Sequence, residues 1–236
     1  MQVIVIDDDP VSRFALVSVI QKIGLHEILE FDDGVPAWDY LRTSPLPVLC
    51  CCDVRMPDMS GIELLELVRN DALCQALPFV LITSGHEKGT VKKAVQLGVN
   101  GYIVKPFSQN EATSKLKDIF QKELKKVVEL SDATCSRLSI NRQKLKVYLA
   151  GFRQQVDELQ KISDYTHDEL DIPNFDSQLA AIYKGCQTLG LWHCASQIEI
   201  LQGRKDRQGS AASYLRLLLS TIDYQIVSAD GVVDSG

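Results

Sequence analysis

The sequence predicts an α/β half followed by an all-α half: a five-stranded, parallel, doubly wound sheet, then an antiparallel four-helix bundle. Three observations lead there. Five short apolar runs recur early in the chain: VIVI (3–6), EILEF (27–31), VLCCC (48–52), FVLIT (79–83) and GYIV (101–104). Helical patterns lie between them, over Val11–Ile23, Ile62–Val68 and Val91–Leu97, the last stopped by Gly98,. From Asn141 onward the strand pattern disappears and only helical spacing remains. Strand–helix alternation implies βαβ units with helices on both sheet faces. Runs apolar at every position suit strands covered on both sides.

Composition bounds the rest. At 236 residues, with 45% apolar and 24% charged residues, the chain suits two domains with real cores,. No apolar run approaches the ~20 residues of a membrane span. A formal net charge of −6 disfavours a broad nucleic-acid footprint,. The cysteines Cys50, Cys51, Cys52, Cys74, Cys135, Cys186 and Cys194 are odd in number and irregularly spaced. That pattern suits reduced thiols in a cytoplasmic protein. The triplet Cys50–Cys52 reads as small buried hydrophobes, because neighbours on a strand point to opposite faces and cannot ligate one ion.

In an open parallel sheet, function belongs in the crevice at the carboxyl ends of the strands. The first strand ends there in Asp7-Asp8-Asp9, the third in Asp53, the fourth in Thr83-Ser84 and the fifth in Lys105-Pro106. Clustered carboxylates need a cation, and an all-oxygen set suits Mg²⁺. A hydroxyl and a lysine beside them make a phosphate site, and a carboxylate can itself be the nucleophile.

Taken in order and spacing, VIVIDDDPVSR, CCDVRMPDMSG, LITSG and GYIVKPF resemble the receiver domain of two-component response regulators over residues 1–122. The resemblance implies a flavodoxin-like fold and a phosphoacceptor at Asp53, supplied by a sensor histidine kinase. It implies Mg²⁺ held by Asp7, Asp8, Asp53 and the main-chain carbonyl of Arg55. Thr83 and Lys105 would bind the phosphoryl oxygens, Thr83 and Tyr102 would move as a switch, and the Lys105–Pro106 peptide would be cis. Asp9 falls outside the matching pair and reads as a helix start before Pro10.

After Pro106 a helix begins near Gln109, and its stripe Leu116, Phe120, Leu124, Val127 reaches toward Leu130,. Its first half should pack on the sheet. Its second half, in a helical linker over 123–140, could pair with a second copy as a homodimer. Ser131–Thr134 reads as a polar break. Four amphipathic helices follow over 141–228, marked by Leu145–Leu159, Leu179–Leu189, Ala195–Leu201 and Leu215–Ile226, with a flexible tail at 229–236,.

The stretch AAIYKGCQTLGLWHCASQIEILQ resembles a histidine-phosphotransfer (HPt) domain, whose active helix reads H-x-x-K-G before a Leu-Gly turn. Here Ala181 stands at the histidine position, so the resemblance implies a pseudo-HPt domain whose exposed face (Ala181, Lys184, Gly185) docks a receiver or kinase domain without transferring phosphate. His26, His86, His167 and His193 lack the Lys-Gly partner and read as ordinary residues. The chain is therefore expected to be a phosphorylation-gated regulator that binds protein, and not an enzyme beyond its own phosphoryl chemistry. A DNA-binding regulator is the alternative, weakened because LWHCASQIEILQ carries no arginine or lysine,. Arg204–Arg207 reads as a solvated loop.

Overall fold

The structure is a computed structural model that describes residues 1–24, 27–85, 88–165, 172–203 and 211–230. His26, His86, His167, the Arg204–Arg207 cluster and most of the expected tail lie outside the described residues. The chain divides into two compact units, with the boundary between Glu123 and Leu124.

The first unit holds five strands: β1 (Gln2–Ile6), β2 (Glu27–Phe31), β3 (Leu49–Asp53), β4 (Phe79–Thr83) and β5 (Gly101–Val104). They are all parallel, in the order β2-β1-β3-β4-β5. Among the described residues, five helices connect and follow them: α1 (Pro10–Gln21), α2 (Gly34–Thr43), α3 (Gly61–Asn70), α4 (Lys88–Gln96) and α5 (Gln109–Val127). Strand parity divides the core. Ile4, Ile6, Cys50, Cys52, Phe79 and Leu81 pack in one cluster with Ala37 of α2, the apolar face of α3 and Ala94 of α4. Their neighbours Val3, Val5, Cys51, Val80 and Ile82 are equally buried on the opposite face. The three adjacent thiols are thus split between two faces, and burial raises all three pKa values, Cys51 to about 12.

Local chemistry sets the helix starts. Asp9 caps α1 by accepting from the Val11 and Ser12 N–H groups, ahead of Pro10 at the first helical position,. Ser60 and Glu63 form a reciprocal capping box on α3,. Gly98 ends the α4 segment at φ +75°,.

One sequence expectation is corrected in the middle of the chain. Helix α5 stops at Val127, and a separate helix α6 (Ser131–Leu138) begins where a polar break was expected. Ser131 and Thr134 are buried on it. The stripe Leu116, Phe120, Leu124 and Val127 is buried along its whole length.

The second unit continues with α7 (Arg142–Tyr165), α8 (Phe175–Leu189), α9 (Trp192–Gly203) and α10 (Ala211–Ala229). Helix α10 packs along α7, α8 against α9, and α9 against α10. Among the described residues, three ion pairs join α7 to α10 and to Asp230, the residue that follows it: Lys146–Asp230, Arg153–Asp223 and Asp164–Arg216. Their numbers rise on one helix as they fall on the other, so the two run antiparallel. The sequence reading marked no helix at α2, and within its helical linker it placed a polar break where α6 begins, since SDATCSRL shows almost no apolar stripe.

Glu129 ties this unit together. Its N–H donates to Gly190 O at 2.7 Å and its carbonyl accepts from Gln225 Nε2 at 2.7 Å. Its carboxylate accepts from Thr134 Oγ1 and Arg137, and the Arg137 hydrogen bond holds its pKa below the ordinary glutamate value. Gly190 sits at φ +72°, and a Cβ there would stand 2.5 Å from Glu129 Cβ. Only glycine meets both demands.

Candidate functional site

The ladder registers bring the site together. Ile6 pairs with Cys52, and Thr83 pairs with Val104. One residue further on, Asp7 and Asp53 stand side by side, and Lys105 follows at the neighbouring edge. The strand order reverses around β1 and β3, so this is also the crevice of the doubly wound sheet.

Lys105 Nζ donates to Asp7 Oδ2 at 2.8 Å and to Asp53 Oδ1 at 2.5 Å. The second Asp53 oxygen accepts from the Arg55 N–H at 2.6 Å. Asp7 is 1% exposed and Asp53 7%. Burial raises the Asp7 pKa above the ordinary carboxylate value despite the opposing pull of Lys105,. Burial also works against the Lys105 charge, but its hydrogen bonds to Asp53 and Asp7 outweigh that, and its pKa is raised. Both carboxylates are therefore held around one cation at the mouth of the sheet. Asp8 is exposed at the rim. Among the described residues, no three His, Cys, Asp or Glu side chains converge as a ready metal cage.

Thr83 is 3% exposed, and its hydroxyl accepts from the Gly85 N–H at 3.3 Å. Tyr102 is 43% exposed, with Lys115 Nζ 5.2 Å from its ring centre,. A shallow pocket between them is lined by Val54, Leu81, Thr83, Val91, Ala94 and Tyr102. The tyrosine ring thus stands partly in water at the edge of an apolar recess. The Lys105–Pro106 peptide is cis.

Two further residues shape the site. Gly61 donates its N–H to Val54 O at 3.0 Å, and a Cβ on it would fall 2.1 Å from Asp53 O and 3.0 Å from Cys52 Sγ. Gly61→Ala is expected to cost about 2–3 kcal/mol, because backbone blocks the added methyl and has to shift. Urea unfolding of the two proteins checks this, and equal midpoints would refute it. Asp33, which sequence reasoning missed, accepts three backbone N–H groups: Val35, Asp58 and Met59. Its signal was present as an N-cap residue before Gly34, just after the second strand.

In the second unit, Ala181 and Lys184 are exposed on α8. Gly185 is not part of that open face as expected. A Cβ there would lie 2.3 Å from Phe152 Cε2, so the glycine admits the Phe152 ring of α7. His193 lies at the start of α9, away from the Lys184–Gly185 pair in sequence and on another helix.

Residues 3–117 match the response regulator receiver domain family. A chemotaxis protein CheY homolog of Campylobacter jejuni is 34% identical over 119 residues, covering 92% of that protein and 50% of this chain. Chemotaxis protein CheY1 of Helicobacter pylori is 34% identical over 116 residues, covering 94% of that protein and 49% of this chain. A crystal structure of a putative response regulator from Chloroflexus aurantiacus aligns with a TM-score of 0.47 at 27% identity, covering 51% of this chain and 97% of that one. With its parallel sheet and its acidic residues gathered around one lysine, the first half places this chain in the response regulator receiver family.

Proposed function

We propose that Asp53 accepts a phosphoryl group from a sensor histidine kinase and that the second unit is a pseudo-HPt domain read out by protein binding. The carrying observation is the Lys105 ammonium bridging Asp7 and Asp53 beside Thr83. In the step, one Asp53 carboxylate oxygen attacks phosphorus. A P–O bond forms, the P–N bond to the donor histidine breaks, and the imidazole leaves with its electron pair. Lys105 neutralises the incoming phosphoryl oxygens, while the Arg55 N–H keeps the carboxylate oriented.

The donor set suits Mg²⁺. It offers hard oxygens only: Asp7 and Asp53 already converge on one cation, Asp8 stands at the rim, and the Arg55 carbonyl lies on the adjoining loop. Bound there, Mg²⁺ would supply charge neutralisation for the phosphoryl group. Thr83 then swings toward the phosphoryl oxygens, vacating space into which the Tyr102 ring can turn from solvent. That is a local charge event biasing a two-state element.

For the second unit, the support is an exposed Lys184 one turn from an exposed Ala181, followed by a left-handed turn at Gly190. Alanine cannot hold a phosphoryl group, so the face is read as a docking surface for a receiver or kinase domain. The test uses the full chain with acetyl phosphate and Mg²⁺, followed by intact mass. Wild type is expected to gain one phosphoryl group, and Ala181→His a second, acid-labile one. No uptake by wild type refutes the receiver chemistry. Uptake by wild type without the second group in the variant refutes the HPt likeness alone.

A further inference from the structure

The loop between β3 and α3 carries Arg55, whose N–H orients Asp53, yet the loop itself runs over the surface. Something has to hold it. At its near end, Gly61 N–H closes on Val54 O. At its crown, Asp58 N–H donates to Asp33 Oδ2 at 2.9 Å and Met59 N–H to Asp33 Oδ1 at 3.1 Å. Asp33 is 8% exposed and belongs to the β2–α2 connection, not to the loop. The adjacent Gly34 presents a bare face to the same segment, and a Cβ there would sit 2.7 Å from Met59 O.

We propose that Asp33 is a positioning residue for the phosphoacceptor, its two carboxylate oxygens anchoring the loop that holds Arg55 against Asp53. Helix capping accounts for only one of its bonds, that from Val35 N–H at 2.9 Å. The other two reach a segment 25 and 26 residues away. Because hydrogen bonds to an anionic acceptor are stronger than neutral ones, the anchor is stiff where an amide or hydroxyl would be loose. The proposal rests on the reading of Asp53 as phosphoacceptor.

Two variants of the full chain separate positioning from capping. Asp33→Ser keeps an oxygen able to cap α2 but offers none to Asp58. Asp33→Asn keeps Oδ1 and turns an NH₂ group against the Asp58 N–H. Both are expected to slow phosphorylation by acetyl phosphate about tenfold, as small misplacements of a nucleophile do. In metal-free protein, amide exchange at Asp58 and Met59 should be slow in wild type and faster in both variants.

A purely structural Asp33 would leave Asp33→Ser phosphorylating at the wild-type rate. That result, or wild-type Asp58 and Met59 amides exchanging as fast as unprotected ones, overturns the proposal. The exchange measurement decides even where a variant fails to fold. It also decides where wild type takes up no phosphoryl group, an outcome that removes the reading of Asp53 and leaves the anchoring of the loop to be judged on its own.

Discussion

Asp53→Asn is expected to abolish phosphoryl uptake while leaving the sheet folded. The carboxylate makes two different bonds, Oδ1 to the Lys105 ammonium and Oδ2 to the Arg55 N–H. Asparagine is nearly isosteric but has one acceptor atom. With its oxygen toward Lys105, its NH₂ faces the Arg55 N–H, donor against donor. With the amide reversed, the NH₂ faces the ammonium. Either way one of the two orienting bonds is lost, and a neutral amide is no nucleophile toward phosphorus. Incubation with acetyl phosphate and Mg²⁺, followed by intact mass, should show no adduct. Persisting uptake would place the acceptor elsewhere and remove the reading of the whole acidic edge.

The largest loss of stability is expected away from that edge, at Arg69. Its guanidinium donates to Leu97 O, Gln75 O, Leu77 O, Gly98 O and Asn100 Oδ1, at 2.9–3.2 Å. Five N–H donors meet five acceptors, the full capacity of the group. It joins α3, the approach to β4 and the turn between α4 and β5. Burial lowers its pKa, but an arginine keeps its charge at any ordinary pH,.

Arg69→Met keeps most of the apolar stem and strands the acceptors. Those near the surface recover water, while the half-buried Leu77 and Leu97 carbonyls do so poorly. The expected cost is about 3 kcal/mol, a fall in Tm of about 10 °C for a unit of this size. Arg69→Lys should recover little, since an ammonium cannot span this fork of carbonyls. Thermal unfolding of both variants checks the point, and a shift under about 2 °C in Arg69→Met would refute it.

Three of the strands were legible because their runs are apolar at almost every position, a pattern that few other elements share. VIVI, VLCCC and FVLIT became β1, β3 and β4 within a residue or so. The acidic edge was legible for a related reason: in a parallel sheet the residue after each strand falls in one crevice, so Asp7, Asp53 and Lys105 could be placed together before any coordinates. Helix α6 was not legible as a helix of its own beginning at the expected polar break, since its buried positions are Ser131, Thr134 and Cys135, residue types that usually mark a loop. Gly185 was misread because a helical wheel shows which side faces inward but not which ring fills the gap. Asp33 escaped because its role lies in bonds to a loop distant in sequence, and residue spacing carries no trace of such bonds. Arg69 shows the same limit, since a charged residue in the last turn of α3 looks like an ordinary surface cation.

The seam between α7 and α10 has a consequence for how the second unit finds its arrangement. Each of its ion pairs is partly exposed, and pairs of that kind add little stability. Their order matters more than their strength. Along α7 the signs run plus, plus, minus, through Lys146, Arg153 and Asp164; along α10 and the residue that follows it they run plus, minus, minus, through Arg216, Asp223 and Asp230. Laid parallel about the central Arg153–Asp223 pair, Lys146 would face Arg216 and Asp164 would come within a turn of Asp230. Like charges would then meet at both ends. The seam thus penalises the wrong direction more than it rewards the right one, and a chain collapsing through many loose pairings is steered toward a single orientation by repulsion.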